Sequence, residues 1–245
     1  MLDVPRSRLV LVAAPGPEAE AAYEAALVRR AAREPLQHIV GTAPFRHIEV
    51  AVGPGVFVPR PETELLVDAV LPVLRAVALP LTVDLCSGSG ALALALADEV
   101  PGARVLAVER TGPSTAWLER NAAGTAVEVV TADVSDPALL SALRSQVDAV
   151  VSNPPYVPRV SEVAAEVRFD PDLAVFAGDD GLSVIPAVIA RAAELLRPGG
   201  VLALEHDDTH ARAVPALLQA DGRWAAISDH RDLAGSPRYA VATRR

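Results

Sequence analysis

At 245 residues, 51% hydrophobic and 22% charged, the chain has room for one full α/β domain with a small appendage, and its formal net charge is −9. That acidic balance argues against nucleic acid as a direct substrate, since the nearest approach to a basic face is Arg29, Arg30 and Arg33. One cysteine, Cys86, excludes a disulfide framework and a multi-cysteine metal site, and no metal is expected.

In chain order, the apolar start Met1–Val12 is interrupted by Asp3, Arg6 and Arg8, so it does not form an export signal. No uncharged apolar run reaches the roughly 18 residues of a membrane span, and a cytoplasmic protein is expected. From Pro17 to Arg33, Tyr23, Ala26, Leu27 and Arg30 recur at helical spacing, and Pro35 ends that helix. Alternating apolar residues over Phe45–Val52, a Gly53-Pro54-Gly55 turn and Val56-Phe57-Val58 predict a hairpin. From Leu81 strand-like and helical runs alternate: Leu81–Cys86 then Gly90–Asp98, Arg104–Glu109 then Ser114–Asn121, Val127–Ala132 then Pro137–Leu143, and Val147–Ser152. That is a βα repeat, and it implies a parallel sheet covered on both faces. A helix over Leu182–Leu196, a strand Val201–Glu205, a helix His210–Ala220 and strands Trp224–Ser228 and Tyr239–Thr243 complete the chain.

Asp84-Leu85-Cys86-Ser87-Gly88-Ser89-Gly90 joins a strand to a helix, and small residues there let a ligand approach the main chain. Glu109 ends the next strand, where a carboxylate accepts ribose hydroxyls. Asp133 and Val134 follow the third strand, near the expected adenine. The third glycine of a dinucleotide fingerprint is missing, so S-adenosylmethionine, which has no phosphate, fits better than NAD. Asp84, below the loop, suits its cationic centre.

Asn153-Pro154-Pro155-Tyr156 follows the fourth strand at the ligand edge of such a sheet. A planar nitrogen has a delocalised lone pair and is a poor nucleophile. It needs its N–H groups held by acceptors so that the lone pair faces the methyl carbon. The Asn153 side-chain oxygen and the Pro154 carbonyl can be those acceptors, proline restricts the backbone around them, and Tyr156 offers a flat face. Asn153, Pro154 and Tyr156 are therefore the candidate catalytic residues.

The chain resembles the HemK/PrmC family, the N(5)-glutamine methyltransferases of peptide chain release factors. The resemblance rests on Glu34–Gly41, Phe45, Pro54–Glu64, the glycine loop, Ser152–Tyr156, Asp170-Pro171, Ala177–Leu182, Leu204-Glu205-His206 and Asp232–Arg238. It implies a class I methyltransferase fold, a Rossmann-like seven-stranded sheet that is mostly parallel with an antiparallel last strand. It implies a shortened helical, factor-recognising region at 1–44, a β-hairpin linker at 45–59 and a catalytic domain at 60–245. The implied substrate is the glutamine of the Gly-Gly-Gln motif of class I release factors. Cys86, Ser87, Gly88, Ser89, Gly90, Glu109 and Asn153 would contact the cofactor, and Asn153, Pro154, Pro155 and Tyr156 would hold the glutamine, with Arg60 and Glu62 also on the substrate side. The alternatives are methylation of adenine N6 or of another protein's glutamine, or cofactor binding without catalysis.

Overall fold

A computed structural model of the protein describes residues 16–110 and 112–245; the Met1–Val12 segment lies outside them. Among the described residues no helix is long and apolar enough to cross a membrane. Two helices come first, α1 (Pro17–Ala31) and α2 (Leu36–Val40). No residue of α1 is buried, and its terminal arginines are tied down by carboxylates instead. Arg29 pairs with Glu34, while Arg30 and Arg33 reach Glu166 at 3.1 and 2.8 Å. The basic cluster is thus neutralised internally.

Strands β1 (Thr42–Phe45) and β2 (Ile48–Ala51) form an antiparallel hairpin with Phe45 opposite Ile48. The chain reverses at Arg46–His47, earlier than the expected Gly53–Gly55 turn, and Val56–Val58 is not a strand. Arg46 is the cause. It adopts φ +51°, its N–H donates to Glu64 Oε1 at 2.9 Å, and its guanidinium pairs with Glu99 and Asp68. Val58 instead donates its N–H to a side chain, Asp170 Oδ1, at 3.1 Å.

No helix is expected from sequence over α3 (Glu64–Arg75), where Leu66, Val67, Val70, Leu71 and Leu74 are buried at helical spacing. Pro72 interrupts that pattern in the sequence, because proline ordinarily ends a helix; here it sits on the exposed face. The alternating part follows: β3 (Leu81–Leu85), α4 (Ala91–Glu99), β4 (Arg104–Glu109), α5 (Pro113–Ala122), β5 (Val127–Thr131) and β6 (Val147–Ser152). Then come α6 (Asp172–Val175), α7 (Ile185–Leu195), β7 (Leu196–Glu205), α8 (Ala213–Asp221), β8 (Trp224–Arg231) and β9 (Pro237–Arg244). The expected helix over Pro137–Leu143 is only a 3₁₀ turn at Ser141–Leu143. Arg191 takes the carbonyls of Asp136 and Pro137, at 2.7 and 3.3 Å, that helical N–H groups would have needed.

The seven-stranded sheet has the order β5-β4-β3-β6-β7-β9-β8, parallel except where β9 runs antiparallel to β7 and β8, as expected. Alternate side chains face opposite layers. Val105, Ala107, Ala149 and Val151 pack under α3, α4 and the hairpin, while Leu106, Val108, Val150, Leu202 and Leu204 pack on α7 and α8. Strand order proceeds outward from β3 through β5 and then restarts at β6 beside β3. That reversal opens a crevice at the carboxyl ends of the strands, where ligands of such sheets bind.

Candidate active site

A cavity of about 340 Å³ occupies this crevice, within the size range of small-molecule sites. Of the candidate cofactor residues, Cys86, Ser87, Gly88, Ser89, Glu109, Asp133, Val134 and Asn153 line it. Cys86 at φ +65° and Gly88 at +55° curl the loop, and an added Cβ at Gly88 would meet open space. Glu109 is the hub. Its Oε2 accepts the Gly88 N–H at 2.8 Å and its Oε1 accepts the Ser114 hydroxyl at 3.0 Å. Burial raises its pKa. Asp133 is more open and accepts the hydroxyl and N–H of Ser135 at 2.6 and 2.8 Å, which lowers its pKa. Burial, with the Glu109 and Asp84 charges, holds the Cys86 thiol well above the usual thiol range.

Two candidate cofactor residues stand outside the cavity. Asp84 lies beneath the loop, fully buried, and neither carboxylate oxygen has a hydrogen-bond partner. Gly90 turns its N–H onto the Ser87 carbonyl at 2.8 Å and leads into α4.

A second cavity, of about 200 Å³, is lined by Arg60, Pro154, Tyr156 and an apolar wall that includes Val163, Ala164 and Val167. Asn153, Phe57 and Ala174 line both cavities, so the two share a wall. Pro155 lines the first cavity and not the second, apart from Pro154 and Tyr156, with which the motif groups it. Glu62 lines neither cavity and is exposed on the 3₁₀ turn Pro61–Thr63. Arg60 reaches the second cavity, but its guanidinium is held by Asp170 at 2.5 Å and lies 4.8 Å from the Phe57 ring centroid. It works as a clamp between two loops.

The Asn153–Tyr156 segment is held from behind. Asn153 Nδ2 donates to Thr63 Oγ1 at 3.0 Å, which leaves the side-chain oxygen as an acceptor. The Pro154 carbonyl accepts no hydrogen bond among the described residues. Tyr156 donates its hydroxyl to Glu205 Oε1 at 2.8 Å. Thr63, Phe57 and Glu205 lie in stretches that carry the family resemblance, but sequence gives them no site role. The sequence carries a signal for Glu205: a carboxylate closing the apolar strand run Val201–Leu204.

Gly181 is the remaining support. At φ +75° an added Cβ would lie 2.2 Å from the Tyr156 carbonyl oxygen and 2.8 Å from His210 Cε1. Gly181→Ala is expected to destabilise the fold by about 1–3 kcal/mol, as overpacking does, and to lower turnover by displacing Tyr156. Thermal melts beside an activity assay check this; a variant that melts and turns over like wild type contradicts it.

Comparison with known proteins fits this geometry. The methyltransferase small domain family matches residues 48–168, and the PrmC N-terminal domain family matches residues 1–41. A release factor glutamine methyltransferase of Mycolicibacterium smegmatis is 51% identical over 99% of this chain and 86% of its own length. A 4-amino-L-phenylalanine/4-methylamino-L-phenylalanine methyltransferase of Streptomyces pristinaespiralis is 44% identical over 82% of this chain and 70% of its own. A methyltransferase from Pyrococcus furiosus shares the fold, with a TM-score of 0.56 at 15% identity, covering 94% of this chain and 98% of its own. With that identity along almost its whole length and both family domains in order, the chain belongs to the release factor glutamine methyltransferase family.

Proposed function

We propose that the protein transfers a methyl group from S-adenosylmethionine to the side-chain amide nitrogen of the glutamine in the Gly-Gly-Gln motif of class I peptide chain release factors. The observation that carries this is Asn153, with its NH₂ fixed on Thr63 and its oxygen left as an acceptor at the wall common to both cavities. The first cavity suits the cofactor. The Glu109 carboxylate matches a pair of ribose hydroxyls, Asp133 matches an exocyclic amine, and Val108, Val134 and Ala187 give a flat apolar lining. S-adenosylmethionine, when bound, supplies the methyl group on a sulfonium. The chain's own residues then orient the acceptor. Asn153 Oδ1 and the Pro154 carbonyl accept the two amide N–H groups, Tyr156 confines the amide plane, and Phe57 keeps water from the shared wall.

The Arg30 and Arg33 pairs to Glu166 link α1 to the segment bearing Val163, Ala164 and Val167, so a factor docked near α1 would sit at the acceptor cavity. The same pairing removes the basic cluster that a nucleic-acid substrate would need. We place the enzyme in the cytoplasm, where translation terminates. A small aromatic amine is the second reading, favoured by the S. pristinaespiralis relative. Labelled cofactor incubated with a release factor, with its Gln-substituted form, with duplex DNA and with 4-amino-L-phenylalanine decides among them. The expected result is label on the unaltered factor only; label persisting on the Gln-substituted factor overturns the proposal.

A further inference from the structure

Helix α5 carries Pro113, Trp117 and Asn121 at intervals of four, which puts them on one face. The chain leaving the hairpin lies along that face. An added Cβ at Gly53 would lie 2.7 Å from Trp117 Cζ2, and one at Gly55 would lie 2.7 Å from Pro113 Cβ, so main chain and helix are in direct contact. Trp117 also donates its indole N–H to the Pro54 carbonyl at 3.2 Å. Gly55, Phe57 and Pro59, along the same stretch, line the first cavity. The stretch covers that cavity, and α5 is what it rests on.

Asn121 ends the row and reaches further than the other two. Its Oδ1 accepts the Ala51 N–H at 2.9 Å, and its Nδ2 donates to the Ala51 and Ser89 carbonyls, each at 2.9 Å. Ala51 is the last residue of β2, where the covering stretch begins, and Ser89 is a buried residue of the cofactor loop. A carbonyl only accepts and a peptide N–H only donates, so these partners fix which end of the amide is which, and both Nδ2 protons are used. One planar group of fixed size therefore spans the loop and its cover. No titratable group takes part.

We propose that Asn121 is a positioning residue for the cofactor: its amide holds the cofactor loop and the covering stretch at a set spacing, and so shapes the first cavity for its ligand. This rests on S-adenosylmethionine as the ligand of that cavity, as proposed above, and not on the acceptor. Asn121→Asp keeps the shape and can still accept from Ala51, but it sets an oxygen against the two carbonyls. Asn121→Ala removes the amide and suits a helix. Both are expected to raise the dissociation constant for S-adenosylmethionine by on the order of 10-fold, the aspartate more than the alanine, because the carbonyls lose their donor. Turnover at saturating cofactor, on whichever acceptor wild type methylates, stays within about 3-fold, the mark of binding lost equally from ground and transition states. Glu119→Gly, at an exposed position of the same helix, is the control. It lowers the melting temperature, as glycine inside a helix does, and leaves the dissociation constant unchanged. Calorimetric titration well below every melting temperature reads the constants. Unchanged cofactor affinity in both Asn121 variants overturns the inference. So does a fall in turnover that saturating cofactor does not restore, or a Glu119→Gly that weakens the cofactor as much as they do. A wild type that binds no S-adenosylmethionine overturns the cofactor reading and the inference with it. A wild type silent on release factor that shows this pattern of affinities overturns only the acceptor assignment and supports the inference.

Discussion

Asn153→Ala is expected to lower turnover by on the order of 10²-fold or more while leaving cofactor affinity largely intact. The asymmetry follows from where the side chain sits. Its NH₂ is already committed to Thr63 at 3.0 Å, so its oxygen is the only part left to act on an acceptor. The cofactor cavity has many other walls, among them the Cys86–Ser89 loop and Glu109, and truncating one shared residue removes little of them. The acceptor nitrogen has far fewer partners, and a lost preorganised acceptor is felt mainly at the step where positive charge develops on that nitrogen. Steady-state kinetics with calorimetric titration of S-adenosylmethionine separates the two effects. A loss confined to cofactor binding would place Asn153 wholly in the first cavity.

Asp84→Asn is expected to raise stability at pH 8 and weaken cofactor binding at once. Burial, with Glu109 adding to it, takes the Asp84 carboxyl up to about 7; the nearby Ser87 hydroxyl and Ala93 N–H pull the other way but neither comes close enough to hydrogen-bond either oxygen. An unfolded aspartate titrates near ~3.9. Between those values the folded protein holds a proton that the unfolded chain has released, so stability falls as pH rises from about 4 through 7 and is level above. At pH 8 the whole cost is present, on the order of 1–4 kcal/mol, and the neutral asparagine removes it. At pH 5 the gain is smaller, because the folded aspartate is already protonated. The compensating role is electrostatic: a carboxylate beneath the loop favours a cation above it, so the variant binds S-adenosylmethionine more weakly, by roughly 10-fold for each 1.4 kcal/mol lost. Melting curves at both pH values with a cofactor titration check this. A variant less stable than wild type at pH 8 would show that the buried charge is compensated in a way the hydrogen bonds do not reveal.

Local features were legible from sequence because each is specified by adjacent residues. The glycine loop, the strand-end carboxylates Glu109 and Asp133, and Asn153–Tyr156 needed only the βα register to fall into place. Features that depend on distant partners were not. The hairpin turn is set by Arg46 reaching Glu64, Asp68 and Glu99, and Thr63 has meaning only once Asn153 lies against it. Helix α3 was obscured by Pro72. Glu62 shows the opposite failing, since motif membership put it on the substrate side whereas the fold leaves it in solvent; Asp84 lies buried beneath the loop, where the sequence reading put it. The hairpin linker and the Pro137 helix erred for one shared reason: backbone groups were satisfied by remote side chains rather than by neighbours in sequence.

The apolar wall of the acceptor cavity has a consequence for how such an enzyme can diversify. Its residues Val163, Ala164 and Val167 belong to a loop that is closed at its neck by the bridge between Val157 and Phe176 and by Arg159 donating to the Gly178 carbonyl at 2.9 Å. Within that neck no residue is part of the seven-stranded sheet. Insertions or exchanges there leave every strand register intact, whereas a change at Asn153 or Pro154 acts on the bond being made. Under the proposed function, reactivity and selectivity would then be encoded in separable stretches of chain. On that reading the first would recognise planarity and two N–H groups and the second would set which molecule is admitted, so the reaction could be kept while the acceptor is exchanged.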